Sequence, residues 1–243
     1  MHQDNMRGNL SELTEDAVAH YWRTRNSQRD RQSLKGPTDQ GLRGEVTGGA
    51  QMDGFIHLLR TVVTKAGIPD ECIFSRNHLE LPGFFRPNKK WDFVVVRDEK
   101  LLAAIETKSQ AGPSFGNNFN NRTEEALGSA LCLWTAYREK AYLPSPQPFL
   151  GYLFMLEDCE QTNRPLRPLE PHFDVFPEFK LASYRQRYEL FCRKLVLERH
   201  YTASAFITSA ASTGAQGAYA TPAEDLSVDR FVKILLGHLS PFV

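Results

Sequence analysis

The 243-residue chain has no net charge, because 29 Lys and Arg residues balance 29 Asp and Glu. That balance excludes a polycation that coats nucleic acid without discrimination. A local basic field is still open, since binding responds to nearby charge rather than to the total. No run of 18 apolar residues occurs, so no membrane-spanning helix is expected. The opening residues MHQDNMRGNL are polar and hold no apolar signal core. A soluble, cytoplasmic protein is expected. Cysteine is scarce: Cys72, Cys132, Cys159 and Cys192 form no CxxC, and no histidine stands at zinc-ligand spacing beside them. They read as free thiols of a reducing compartment, with no structural zinc. Repeats and clear linkers are missing as well. The expectation is a single α/β domain over residues 1–243.

What is present is a core. At 41% hydrophobic, a chain of this length buries roughly 70–75% of its unfolded surface. Apolar residues at helical spacing predict helices over 10–25, 51–66, 123–140, 181–200 and 222–240. Strands are predicted near 72–74 and over 91–97, 101–107, 149–156 and 203–209. Segment 26–50 is polar and aperiodic, and carries Arg29, Arg31, Lys35 and Arg43. It reads as a long, mobile loop or a segment that orders on a partner. LPGFFRPN at 81–88 reads as a turn. Residues 110–122 read as a Gly/Asn loop, after which Asn121 and Glu124 resemble a capping box.

Against this background three charges stand out. Asp92, Glu106 and Lys108 sit at the ends of two otherwise apolar strands, KKWDFVVVRDEKLLAAIETKSQ. Burying a charge there costs several kcal/mol, on the order of known ion desolvation terms, unless something compensates it. Glu106 and Lys108 share a strand face, and a tight turn at 98–99 returns Asp92 beside them. Two carboxylates at close range repel unless a cation joins them. Oxygen ligands with open positions suit Mg²⁺, which keeps waters and binds phosphates. With a lysine to orient or help deprotonate the attacking water, the set fits metal-assisted phosphodiester hydrolysis. The plain alternative is a surface hairpin with an incidental Glu and Lys. Asp53, at the start of the preceding helix, is either a third metal ligand or an acid favoured by the helix dipole.

Around this site lie candidate DNA contacts. Asn117, Asn118, Asn120, Asn121 and Arg122 carry the groups that read adenine and hold guanine or phosphate; the alternative is a turn capped by its own Asn side chains. Phe115 and Phe119 either anchor that loop or pack on sugars. Arg86, Lys89 and Lys90 directly precede Asp92 and are placed to hold the scissile strand. In helix 181–200, Arg185 and Arg187 are either phosphate contacts or part of a solvated face.

The order helix–β–β–β–helix–β, with Asp92 and Glu106-Thr107-Lys108 in place, resembles the PD-(D/E)xK nuclease core. Trp91 stands where that motif has proline, which is not a chemical group of the reaction. A narrower set is found in MDGF (52–55), LPGFFRP (81–87), WD (91–92), ExKS (106–109), GPSFGNNFNNR (112–122) with EEA (124–126), LEDC (156–159), and VFPEF with ASYRQRY (175–188). Together these resemble the XhoI family of type II restriction endonucleases, from about residue 17 to 210. The resemblance implies a restriction-endonuclease-like core, a central mixed β-sheet flanked by helices. It implies a homodimer that reads CTCGAG in double-stranded DNA and cuts both strands after the first C with Mg²⁺. The products would carry 5′ phosphates and 5′ overhangs. A cognate DNA methyltransferase would act on the same site without forming a stable complex. Two other readings share the features in part: a repair or recombination nuclease of the same core without this specificity, and a DNA-binding module without catalysis. The complete Asp92, Glu106 and Lys108 set speaks against the latter.

Overall fold

The structure, a computed structural model, describes residues 2–33 and 49–243. Seven strands occur among them: β1 (Ile73–Phe74), β2 (Glu80–Pro82), β3 (Asn88–Lys90), β4 (Phe93–Arg97), β5 (Lys100–Gln110), β6 (Phe149–Glu157) and β7 (Ala203–Ser209). The main helices are α1 (His2–Ser33), α2 (Asp53–Lys65), α3 (Gly116–Arg138), α4 (Glu160–Asn163), α5 (Tyr184–Leu197) and α6 (Val228–Leu239).

The main sheet runs β1-β4-β5-β6-β7. β1, β4 and β5 are antiparallel neighbours, whereas β5, β6 and β7 are parallel. A parallel interior is covered on both faces, which is why β6 reads FLGYLFML without alternation. Strand alternation then deals side chains into two cores. Phe93, Val95, Ile105, Leu153, Met155 and Ile207 face α1, α2 and α6. Val94, Ala104, Tyr152, Phe154 and Phe206 face α3 and α5, the two helices that link the parallel strands. The expected mixed sheet flanked by helices is the observed architecture. Among the described residues no helix is long and apolar enough to cross a membrane, and all four cysteines are free thiols.

Several element boundaries differ from the sequence expectation. α1 extends past residue 25 to Ser33, so residues 26–33 are helical rather than loop. Its apolar stripe of Ala17, Val18, Tyr21 and Trp22 ends there, and the polar continuation has no stripe for a periodicity argument to detect. Residues 34–48, with Lys35 and Arg43, lie outside the described residues, and 49–51 are helical. The 81–88 turn is in fact a hairpin, β2 paired with β3, whose tip alone is irregular. α3 opens at Gly116 rather than after Asn121. Buried Phe115, with its ring 5.9 Å from that of Tyr184, anchors the entry, and Phe119 packs 5.0 Å from Tyr188. Asn121 caps nothing there. α6 starts at Val228 under a Ser227 cap rather than at Pro222.

Gly54 explains how α2 reaches its place. A Cβ there would lie 2.8 Å from the backbone Cα of Ala17 on α1, so only glycine allows this approach of the two helices. The approach sets Asp53 and the end of α1 along one rim of a large cleft.

Candidate active site

β4 and β5 meet through a register that changes on the way to the site. Near the turn Arg97 pairs with Lys100 and Val96 with Leu101; beyond it Val95 pairs with Ala103 and Phe93 with Ile105. Leu102 is the extra residue of a β-bulge. A regular hairpin would have set Glu106 opposite Trp91. The bulge shifts the register by one, and Asp92 comes opposite Glu106 instead. The Asp92 amide donates to the Ile105 carbonyl at 3.2 Å.

Asp92 is fixed through one oxygen. Its Oδ2 accepts from the Thr107 amide at 2.8 Å and from the Thr107 hydroxyl at 3.3 Å. Glu106 is 2% exposed. Its Oε1 accepts from Lys108 Nζ at 2.9 Å and from Lys89 Nζ at 3.1 Å. Its Oε2 is buried and has no hydrogen-bond partner. An unpaired buried carboxylate oxygen is costly, and the Tyr201 phenol is a polar group that interacts with the Glu106 carboxylate. Burial pushes the Glu106 carboxyl up, but the Lys108 and Lys89 ammonium groups outweigh it and hold it below the usual carboxylate range. Burial likewise pushes Lys108 down, but Glu106 and Asp92 outweigh it and hold its proton above the ordinary lysine value. Beneath them lie Tyr152 and Tyr201. Burial, then the Glu106 charge among other neighbours, keeps the Tyr201 phenol protonated, and its hydroxyl donates to the Ala126 carbonyl at 3.1 Å.

These groups open on a cleft of about 1760 Å³. Eight Lys and Arg side chains line it against six Asp and Glu, so charge that cancels over the chain favours the positive here. Asp92, Glu106 and Lys108 all line this cleft. Asp53 lines the same cleft and is exposed, but among the described residues no three His, Cys, Asp or Glu side chains gather as a metal cluster. Asp92 and Glu106 both line the cleft, and Lys108 is paired with Glu106. The oxygen-only donors of the two carboxylates fit a hard divalent cation that keeps waters and takes substrate oxygens.

The expected DNA contacts divide. Arg86 and Lys90 are exposed along the cleft. Lys89 also lines it, but its ammonium is committed to Glu106. From α3, Asn118 and Arg122 reach the cleft. They stand four residues apart on one helix face. Asn117, Asn120 and Asn121 are exposed outside its lining. Asn118 already donates to the Ser114 carbonyl at 2.6 Å, and Arg122 pairs with Glu125 at 2.6 Å while its buried Nε has no partner. Arg185 and Arg187 also lie outside the lining. Arg187 donates to the Ala182 carbonyl at 3.1 Å and lies over Tyr184.

Sequence reasoning missed the contribution of α1. Arg25 and Arg29 line the cleft together with Arg76. Arg25 Nη2 donates to the Gly112 carbonyl at 2.7 Å, and the Gly112 amide donates to Glu157 at 2.7 Å. This clamp ties the GPSF turn to α1 and β6. Glu157 belongs to LEDC, a motif quoted for likeness alone, and a hydrogen-bonding role for it has no periodic signature.

The sequence profile of the family described as restriction endonuclease XhoI matches residues 31–221. The type II restriction enzyme BstVI of Geobacillus stearothermophilus is 56% identical over 207 residues, 83% of this chain and 92% of that enzyme. The type II restriction enzyme XhoI of Xanthomonas vasicola is 49% identical over 185 residues, 74% of this chain and 73% of that enzyme. The type II restriction enzyme AbrI of Azospirillum brasilense is 46% identical over 159 residues, 65% of this chain and 71% of that enzyme. No solved structure matches the chain. With most of its length inside the matched region and a nuclease-like site within it, the chain belongs to the XhoI family of type II restriction endonucleases, phosphodiester hydrolases that act on double-stranded DNA.

Proposed function

We propose that the protein cleaves both strands of DNA at the palindrome CTCGAG, after the first C, with Mg²⁺ as its cofactor. The products carry 5′ phosphates and 5′ overhangs. The observation that carries the chemical part is the buried Glu106 carboxylate, paired with Lys108 and unpartnered on Oε2, on the same cleft wall as Asp92. Asp92 and Glu106 would hold the ion. A divalent ion held there would supply an acidified water and offset charge on the phosphate. Lys108, kept protonated, donates to the phosphate or to the attacking water and so orients them. Arg86, Lys90 and Arg122 bind backbone phosphates along the cleft, and Asn118 lies within reach of base edges. One domain over residues 1–243 carries all of this.

A palindrome is read by an isologous pair, which presents the same surface to each half-site. The working form is therefore a homodimer. A cognate methyltransferase shields host DNA at the same sequence without forming a stable complex.

A plasmid of known sequence tests the specificity. Digestion with Mg²⁺ should give discrete fragments, and every sequenced end should start with 5′-TCGAG. Smearing, nicking at unrelated sequences or ends at another hexamer would overturn the assignment of CTCGAG.

A further inference from the structure

Lys89 is not part of the Asp92, Glu106 and Lys108 set, yet it is built into it. It comes from β3, on the hairpin that stands beside the main sheet. Its side chain is 13% exposed, which is low for a lysine. Its ammonium lies 3.1 Å from Glu106 Oε1, donates to the Lys90 carbonyl at 3.3 Å and sits 4.6 Å from the Trp91 ring centre. Trp91, buried under Leu79 and Leu81, is thus a platform for this cation. Two ammonium groups share one oxygen of Glu106 while the other oxygen has none. A divalent ion that approaches this carboxylate and Asp92 meets Lys89 as a rival for the same negative charge. Lys108 pairs with Glu106 and also feels the Asp92 charge, whereas the ion pair of Lys89 is with Glu106, and it lies on the cleft wall with Arg86 and Lys90, where a phosphate can draw it.

We infer that Lys89 competes with the divalent ion for Glu106 and turns to the DNA phosphate when the ion binds. It is a positioning residue: it neutralises Glu106 until substrate and metal arrive together. The inference rests on the metal-site reading above. Linkage follows from it, because DNA that draws Lys89 away strengthens metal binding, and metal that displaces Lys89 strengthens DNA binding.

Titration of the full chain with Mn²⁺ alone, read by electron paramagnetic resonance of the free ion, tests it. Lys89→Met should bind Mn²⁺ at least about fivefold more tightly than the wild type, and Lys89→Arg should bind as the wild type does. In cleavage assays Lys89→Met should need less Mg²⁺ for half-maximal rate, yet be slower at saturation. A merely structural lysine would leave the metal requirement unchanged or raise it. If Lys89→Met does not fold, Lys89→Gln carries the same test. Glu106→Ala separates the two layers. If it weakens Mn²⁺ binding while Lys89→Met leaves binding unchanged, the competition is refuted and the metal site stands. If Glu106→Ala binds Mn²⁺ as tightly as the wild type, the metal-site reading is refuted and the competition with it.

Discussion

Glu106→Ala is expected to abolish cleavage: removal of a metal ligand forfeits several kcal/mol of charge stabilisation, and ~4 kcal/mol is about a thousandfold in rate. The expectation follows from where the carboxylate lies. Glu106 is buried, held below the usual carboxylate range by its two lysine partners, and unpartnered on Oε2. No other described acidic side chain joins Asp92 and Glu106 as a third ligand in reserve. DNA binding should survive the change, because Glu106 offers no donor to a phosphate and its negative charge opposes one. Single-turnover cleavage and gel-shift binding on the same duplex check both halves. Retained cutting would remove Glu106 from the mechanism. Lost binding would mean that it shapes the DNA site rather than the chemistry.

Lys108→Ala has the second largest expected effect, a loss of about 10²–10⁴ in single-turnover rate, the usual range for a positioned proton donor or acceptor. Glu106 and Asp92 keep the lysine protonated. It therefore acts through a fixed N–H donor in the neutral range. The sign matters: a group whose pKa is raised loses its proton only above the ordinary lysine range, so mildly alkaline pH should not imitate the mutation. Lys108→Arg keeps the charge but not the shape, since a planar guanidinium does not reproduce a compact ammonium paired with Glu106. It should recover only part of the rate. A loss under about tenfold in Lys108→Ala, worth ~1.4 kcal/mol, would remove the lysine from the reaction.

Much of the fold was legible because burial leaves a periodic trace. β6 carries an unbroken apolar run, β7 an apolar centre (AFI) among small and β-branched residues, and α2 an apolar stripe, so each was predicted within two residues of its observed bounds. The site was legible for the opposite reason: charges at the end of apolar strands call for an explanation. What stayed hidden had no pattern to carry it. Arg25, Gln28 and Arg29 of α1 line a cleft rather than a core, so this polar stretch resembles a loop in sequence. The first two turns of α3 are rich in Gly and Asn, residues that favour turns. There Phe115 and Phe119, packed on α5, override local preference. The β-bulge at Leu102 and the commitment of Lys89 to Glu106 depend on three-dimensional register and reach. Neither can be read from spacing.

The central claim is that Asp92 and Glu106 jointly hold a divalent ion against the phosphate that is cut. A crystal structure of the protein with a CTCGAG duplex and Ca²⁺, which occupies oxygen sites of this kind, tests it most directly. The account predicts an ion bonded to both carboxylates and to a phosphate oxygen at about 2.3–2.6 Å, with the Lys108 ammonium beside that phosphate. An ion bound elsewhere, or DNA seated with its backbone away from Asp92 and Glu106, would contradict it.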